Sequence, residues 1–497
     1  MFKNFPGYKL LEKIQKSNSH KRERKLPLNA IKLIFIVAIT SVIALLPTES
    51  FGIEGLTVVH QRIISLFVFA ALMWLTEAMP SWVTSMIVVT IMLLTVSTSA
   101  FNFLRPEDGA GLVPFKSIMA CFANPTIMLF IGGFVLAIGL TKVKLDVALA
   151  RVLLKPFGTR SEIVLLGFIL VTAIFSAFVS NTATAAMMLA FLTPVLKSLP
   201  ADGKGRIALA LAIPVGANLG GMITPIGTPP NMIALDYLSS QGMGISFVDW
   251  TIKMAPFVIV LLLLSWLLLR VLFPFKQKHI KIEIEGDIKW NRHTWSVVAA
   301  FAITIFMWMF GTDLWGVDTN VVAMIPIAIF CATGILTRRD LEEINWSVLW
   351  MVAGGFALGV ALNYKDASSV SLSSLIVNTV PFDNFSSLVV MILAGVICFG
   401  FSNFISHSAA TSLLVPVLGV VAGGLGSSLD SFGGPQAMLV GIAIASSVSM
   451  ILPISTPPNA IAHSTGFIEQ KDMMKVGIII GLMGLALGYA MLIFIGF

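Results

Sequence analysis

Phe175-Ser176-Ala177-Phe178-Val179-Ser180-Asn181-Thr182 returns 226 residues later as Phe401-Ser402-Asn403-Phe404-Ile405-Ser406-His407-Ser408. Each copy sits in an apolar run and continues to a Pro-Val pair, Pro194-Val195 and Pro416-Val417. A second phrase follows each. Met222-Ile223-Thr224-Pro225-Ile226-Gly227-Thr228-Pro229-Pro230-Asn231 returns as Met450-Ile451-Leu452-Pro453-Ile454-Ser455-Thr456-Pro457-Pro458-Asn459. Asn181 and Thr228 are 47 residues apart, and His407 and Thr456 are 49. Two motifs repeated in the same order at nearly the same spacing mark an internal duplication built on interrupted apolar segments.

Outside these phrases the apolar residues arrive in blocks of about 18–22, the length that crosses a bilayer as a helix. The 497 residues are 57% hydrophobic and 11% charged, with a mean hydropathy of +0.93. A soluble domain carries roughly 25% charged residues, so a soluble enzyme is excluded, and the alternation of an outer-membrane barrel is absent. The expected fold is an all-α polytopic membrane protein.

Spans are expected near 28–48, 60–79, 81–101 and 126–141, with amphipathic arms at 142–160 and 364–380. A hairpin at 161–198, a broken helix at 206–240 and a span at 254–275 complete the first half. The polar linker 276–293 follows a basic tail at 1–27 and two groups of spans, a scaffold stretch at 28–125 and a repeat core at 126–275. Beyond it lie scaffold spans within 294–380, then a hairpin at 385–422, a broken helix at 434–465 and a last span. If both hairpins are re-entrant there are about 11 transmembrane crossings. With the N-terminus inside, 26 Lys and Arg then fall in cytoplasmic pieces and 5 outside, with Lys32 at the first span, as the positive-inside bias requires. Five crossings separate the hairpins, so they enter from opposite faces. That is the inverted-topology repeat on which alternating-access carriers are built.

The basic residues line one membrane face, which excludes a nucleic-acid partner despite the net charge of +7. Cys121, Cys331 and Cys398 show no metal spacing and read as buried small hydrophobes. Trp74, Trp82, Trp290, Trp295, Trp346 and Trp350 read as interfacial anchors. With six His, no HExxH and no paired intramembrane carboxylates, neither an enzyme nor a catalytic metal or cofactor is expected. The absence of a ring of charges argues against a channel.

Ser180-Asn181-Thr182 suits a helix start, and Thr-Pro-Pro interrupts a helix because proline removes a donor and clashes with the preceding turn. Non-helical backbone in a bilayer survives only inside protein or beside water. Bare N–H groups at such half-helix starts bind anions, aided by a partial charge of about +0.5. No Lys or Arg lies between Glu162 and Leu196 or between Phe385 and Gln470. An anion there is therefore met by dipoles, hydroxyls, amides, bound cations or His407. Two related clusters suit a ligand with two carboxylates.

These residues resemble the divalent anion/sodium symporter (DASS) family over nearly the whole chain. The resemblance implies a homodimer with a scaffold domain and a mobile transport domain working as an elevator, and the basic tail without a transit-type presequence points to the plasma (inner) membrane. It implies that Ser180, Asn181 and Thr182, with Ser406, His407 and Ser408, form the substrate site, lined by Thr228-Pro229 and Thr456-Pro457. Sodium-coupled members hold one sodium near each hairpin tip. Ser176, Ser180, Asn181 and Gly227 offer oxygens for the first. The second departs from the pattern, because His407 stands where the family has asparagine and imidazole offers no oxygen to a hard cation. The expected function is exchange of dicarboxylates (succinate, malate, fumarate, 2-oxoglutarate). The alternative is a sodium-coupled di- or tricarboxylate symporter. The C-terminus is expected outside.

Overall fold

A computed structural model describes residues 26–107, 109–200, 203–280, 290–365, 370–382 and 385–497. Most of the basic tail and half of the linker 276–293 lie outside the described residues. Among those described, eight helices are long and apolar enough to cross a membrane, and six shorter apolar helices accompany them.

The first half opens with α1 Leu26–Leu45, α2 Val58–Thr76, α3 Ser81–Thr95, α4 Pro125–Lys142 and the short α5 Leu145–Leu154. It continues with α6 Ser161–Phe178, α7 Asn181–Ser198, α8 Gly205–Gly220, α9 Pro229–Ser240 and α10 Phe247–Leu272. The second half comprises α11 Arg292–Trp315, α12 Met324–Ala332 and α13 Trp346–Asn363. Then come α14 Ser387–Ser402, α15 His407–Leu425, α16 Gly434–Ser447, α17 Pro457–Ser464 and α18 Gln470–Phe494.

Local chemistry sets the ends. Thr57 Oγ1 accepts from His60 N at 3.2 Å and His60 Nδ1 from Thr57 N at 3.4 Å, a reciprocal cap that starts α2 ahead of the expected 60. Ser246 Oγ accepts from Asp249 N at 3.0 Å, so α10 begins well before 254. The expected span 81–101 ends at Thr95, and within the scaffold stretch 294–380 a single turn at Thr319–Val322 precedes α12. The arm at 142–160 holds α5, and the one at 364–380 holds the helix Leu372–Thr379, with 366–369 outside the described residues. Two composition readings need correction. Trp74 is buried, with its indole N–H donating to Ser81 O at 3.2 Å. The close approach of α2 and α3 makes it a core residue rather than an interfacial anchor. Cys331 is exposed on α12.

The helices form two groups. An outer group packs α1 on α2, α2 on α3, α3 on α13, and α4 on α11 and α12. Lys142 at the end of α4 bonds Ile335 O at 2.6 Å and also Asp340. Burial works against the Asp340 charge, but hydrogen bonds from Lys142 and Thr337 outweigh it and hold this carboxyl below the usual range. The core group contains α6 to α10 and α14 to α18. There α8 lies directly on α6. A Cβ on Gly220 would stand 2.3 Å from Ala173 Cα, and one on Gly216 2.6 Å from Ile169 O. Small residues let membrane helices approach this closely.

The two repeats interlock. The half-helix α9 packs on α15 and α16 of the second copy, while α17 packs on α7 and α8 of the first. Asn218 Nδ2 on α8 donates to Asn459 Oδ1 on α17 at 3.0 Å, joining the two broken helices deep in the core.

Candidate substrate and ion site

Each hairpin turns over in a few residues and restarts as a helix at the repeated phrase. Ser180 caps α7, its hydroxyl accepting from Ala183 N at 3.3 Å. Ser406 caps α15 in the same way, from Ala409 N at 3.2 Å. A cap of this kind satisfies one of the orphan donors of a helix start. The amides of the first turn that remain belong to Asn181 and Thr182, and to His407 and Ser408. All four side chains are half-buried.

The breaks opposite the tips are held open by asparagine. Asn231 Nδ2 donates to Gly221 O at 3.1 Å and Thr224 O at 2.9 Å. Asn459 Nδ2 does the same for Met450 O at 2.9 Å and Leu452 O at 3.1 Å. Carbonyls freed by the helix break thereby regain partners, which non-helical backbone at membrane depth needs. Thr456 Oγ1 accepts from Asn459 N at 3.2 Å, whereas Thr228 makes no such bond. Both threonines are buried, Pro229 is half-buried and Pro457 is exposed. Because Pro229-Pro230 and Pro457-Pro458 have no N–H, α9 and α17 offer their dipoles but few donors. Hydrogen-bond donors for an anion must come from the tips.

Tip and break meet in both repeats, with different chemistry. In the first, Ser176 Oγ lies 2.6 Å from Asn181 Oδ1 and 2.7 Å from Ala217 O. The Asn181 amide closes on Gly221, where an added Cβ would stand 2.6 Å from Oδ1. Gly227 is equally confined, since its Cβ would stand 2.4 Å from Gly221 O. Several oxygens thus converge, a donor set that fits a hard cation. In the second, His407 Nε2 lies 2.5 Å from Ser449 O. A carbonyl only accepts, so Nε2 carries the proton and donates. Here an N–H fills the place of an oxygen, and the donor set does not fit sodium.

A separate cavity of about 1080 Å3 opens between the outer and core groups, lined by α4, α9, α13 and α15. It reaches the first break at Pro225, and Ser412 and Pro416 of α15 form its wall. None of the ten predicted substrate residues lines it. Asn231, Asn459, Ser449 and Asp236 went unmarked as site residues. The asparagines were legible as the last letter of the duplicated Thr-Pro-Pro-Asn, and Asp236 as a lone acid in an apolar segment.

Duplicated interrupted helices, polar tips in an apolar chain and an inter-group cavity define a helical membrane transporter, not an enzyme. Residues 28–496 match the family described as "Sodium:sulfate symporter transmembrane region"; the chain belongs to this family. A protein of Haemophilus influenzae described as an uncharacterized transporter is 31% identical, covering 91% of this chain and 94% of its own. The sodium-dependent dicarboxylate transporter SdcS of Staphylococcus saprophyticus is 28% identical over 85% of this chain and 83% of its own. The YdaH transporter of Alcanivorax borkumensis shares the fold with a TM-score of 0.54 at 14% identity, covering 88% of this chain and 99% of that one.

Proposed function

We propose that the chain exchanges C4 and C5 dicarboxylates across the plasma membrane, one dianion entering as another leaves. The core group, α6 to α10 with α14 to α18, moves as an elevator against the outer group, in a homodimer with cytoplasmic N-termini and external C-termini. The hairpin tips hold the carboxylates through the first-turn amides and the side chains of Asn181, Thr182, His407 and Ser408. Likeness to SdcS supports the substrate class.

The observation that favours exchange over sodium symport is the His407 Nε2–H donated to Ser449 O. It gives the second tip a proton donor where a coupling sodium would need an oxygen. The oxygens around Ser176 and Asn181 keep a second reading open, a sodium-coupled di- or tricarboxylate symporter with one ion at the first tip. Counterflow in proteoliposomes decides between them. Succinate or 2-oxoglutarate uptake is expected to require an internal dicarboxylate and to ignore a sodium gradient. Sodium-driven uptake into empty vesicles overturns the exchanger.

A further inference from the structure

Asp236 on α9 faces the inter-group cavity, half-buried, and among the described residues that line the cavity there is no Lys or Arg. Its Oδ1 accepts from Thr126 Oγ1 at 2.8 Å. Thr126 lies in the first turn of α4, where Asn124 Oδ1 caps the helix by accepting from Thr126 N at 2.7 Å. The Thr126–Asp236 hydrogen bond joins the core group to the outer group across the cavity.

The elements around α9 bring nothing to compensate the charge. α13 and α16 contain no ionisable side chain, and α15 contains only His407, which is engaged with Ser449. On α4 the cation is Lys142, at the opposite end and bonded to Asp340. The Cys121 thiol, the phenols of Tyr237 and Tyr364, and the carboxylate of Asp318 complete the titratable lining. Asp236 is thus a half-buried acid with one hydroxyl donor to its charged form, in the wall of the cavity. A dianion entering that cavity repels the carboxylate and raises its affinity for a proton. Protonation converts one acceptor oxygen into a donor, and Thr126 then loses the charge it holds.

We propose that Asp236 is a proton-binding site of the inter-group cavity, ionised and tied to Thr126 when the cavity holds water and protonated when a dianion passes through it on the way to the tips. The proton comes from solvent and returns there when the dianion leaves. Its uptake loosens α9 from α4. This rests on the reading of the chain as an anion carrier, and the two are tested apart.

Infrared titration of the whole protein in lipid, without substrate, reads Asp236 directly. Titrated between about pH 8 and pH 5, the wild-type protein gains a protonated-carboxyl band component that is missing from Asp236→Asn, and the wild-type-minus-variant difference separates it from Asp146. Thr126→Val, which deletes a donor to the charged form, moves the band's midpoint to higher pH. Fumarate counterflow between about pH 8 and pH 6 reads the coupling, because fumarate is a dianion over that range. The rate rises up to ~10-fold per pH unit while Asp236 is mostly ionised, and Asp236→Asn exchanges at a rate that no longer follows pH. No component lost in Asp236→Asn or moved in Thr126→Val, or an unchanged pH profile in Asp236→Asn, overturns the proposal. If fumarate is not exchanged at any pH, the carrier reading fails and the infrared titration still decides Asp236. Should Asp236→Asn not fold, the Thr126→Val shift alone decides.

Discussion

His407 and Asn181 occupy matching places at the two tips, yet one donates to a backbone carbonyl and the other offers a side-chain oxygen to Ser176. Exchanging that chemistry is the direct experiment. His407→Asn is expected to make uptake respond to sodium, read as counterflow with and without a sodium gradient; an unaltered exchanger removes His407 from the mechanism. A different residue governs pH-dependent stability. Asp146 is buried at the start of α5, outside the spans, and burial pushes its carboxyl up to about 6 even though Val147 N donates to it at 2.8 Å. The folded protein therefore holds this proton more tightly than the unfolded chain. The resulting stability is full below the ordinary carboxyl range and is lost as pH rises through about 6. Asp146→Asn is expected to flatten this dependence and raise stability at neutral pH by up to about 3 kcal/mol, seen as a higher unfolding temperature in detergent. The tip residues were readable because duplication singles them out. Asp236 was legible only as a lone acid, and the setting of Asp146 not at all, because one sequence shows an acid but not the walls around it.

At the scale of the element, the broken helices depend on two devices, a strut and a close contact. Asn459→Ala strands the carbonyls of Met450 and Leu452. Unpaired buried acceptors cost about 1–3 kcal/mol each, so a large fall in unfolding temperature is expected, with Asn459→Asp recovering little because it keeps no donor. Gly220→Leu would drive a side chain into the α6 backbone, which a Cβ alone approaches to 2.3 Å. Overpacking of this kind costs typically 1–3 kcal/mol; retention of wild-type stability would mean that α6 and α8 separate freely. Hydropathy located these elements well, since lipid-facing and buried positions are both apolar. It could not place their ends. The reciprocal Thr57–His60 cap and the Ser246 cap are set by one hydroxyl each, a signal invisible to a window of many residues. Trp74 was misplaced for a related reason, as a ring near a span end can turn toward lipid or toward the next helix.

Across the whole molecule, α13 meets α15 where a Cβ on Gly355 would lie 3.0 Å from Ser412 Cβ. This is a seam between outer and core groups, and the proposed elevator must slide it. A Gly355→Cys/Ser412→Cys pair needs only a slight shift to reach disulfide geometry. Its oxidation is expected to stop counterflow and its reduction to restore it; full exchange in the oxidised protein refutes a moving seam. The duplication foretold two related halves, but not that each lends a half-helix to the other, because contacts between distant segments leave no periodicity. That loan has a consequence for biogenesis. Asn218 and Asn459 are separated by 241 positions, and at about 5–20 residues per second the second leaves the ribosome roughly 10–50 s after the first. Through that interval the groove awaiting α17 must be occupied by lipid or a chaperone. The amino-terminal half is therefore a provisional structure, completed only as synthesis ends.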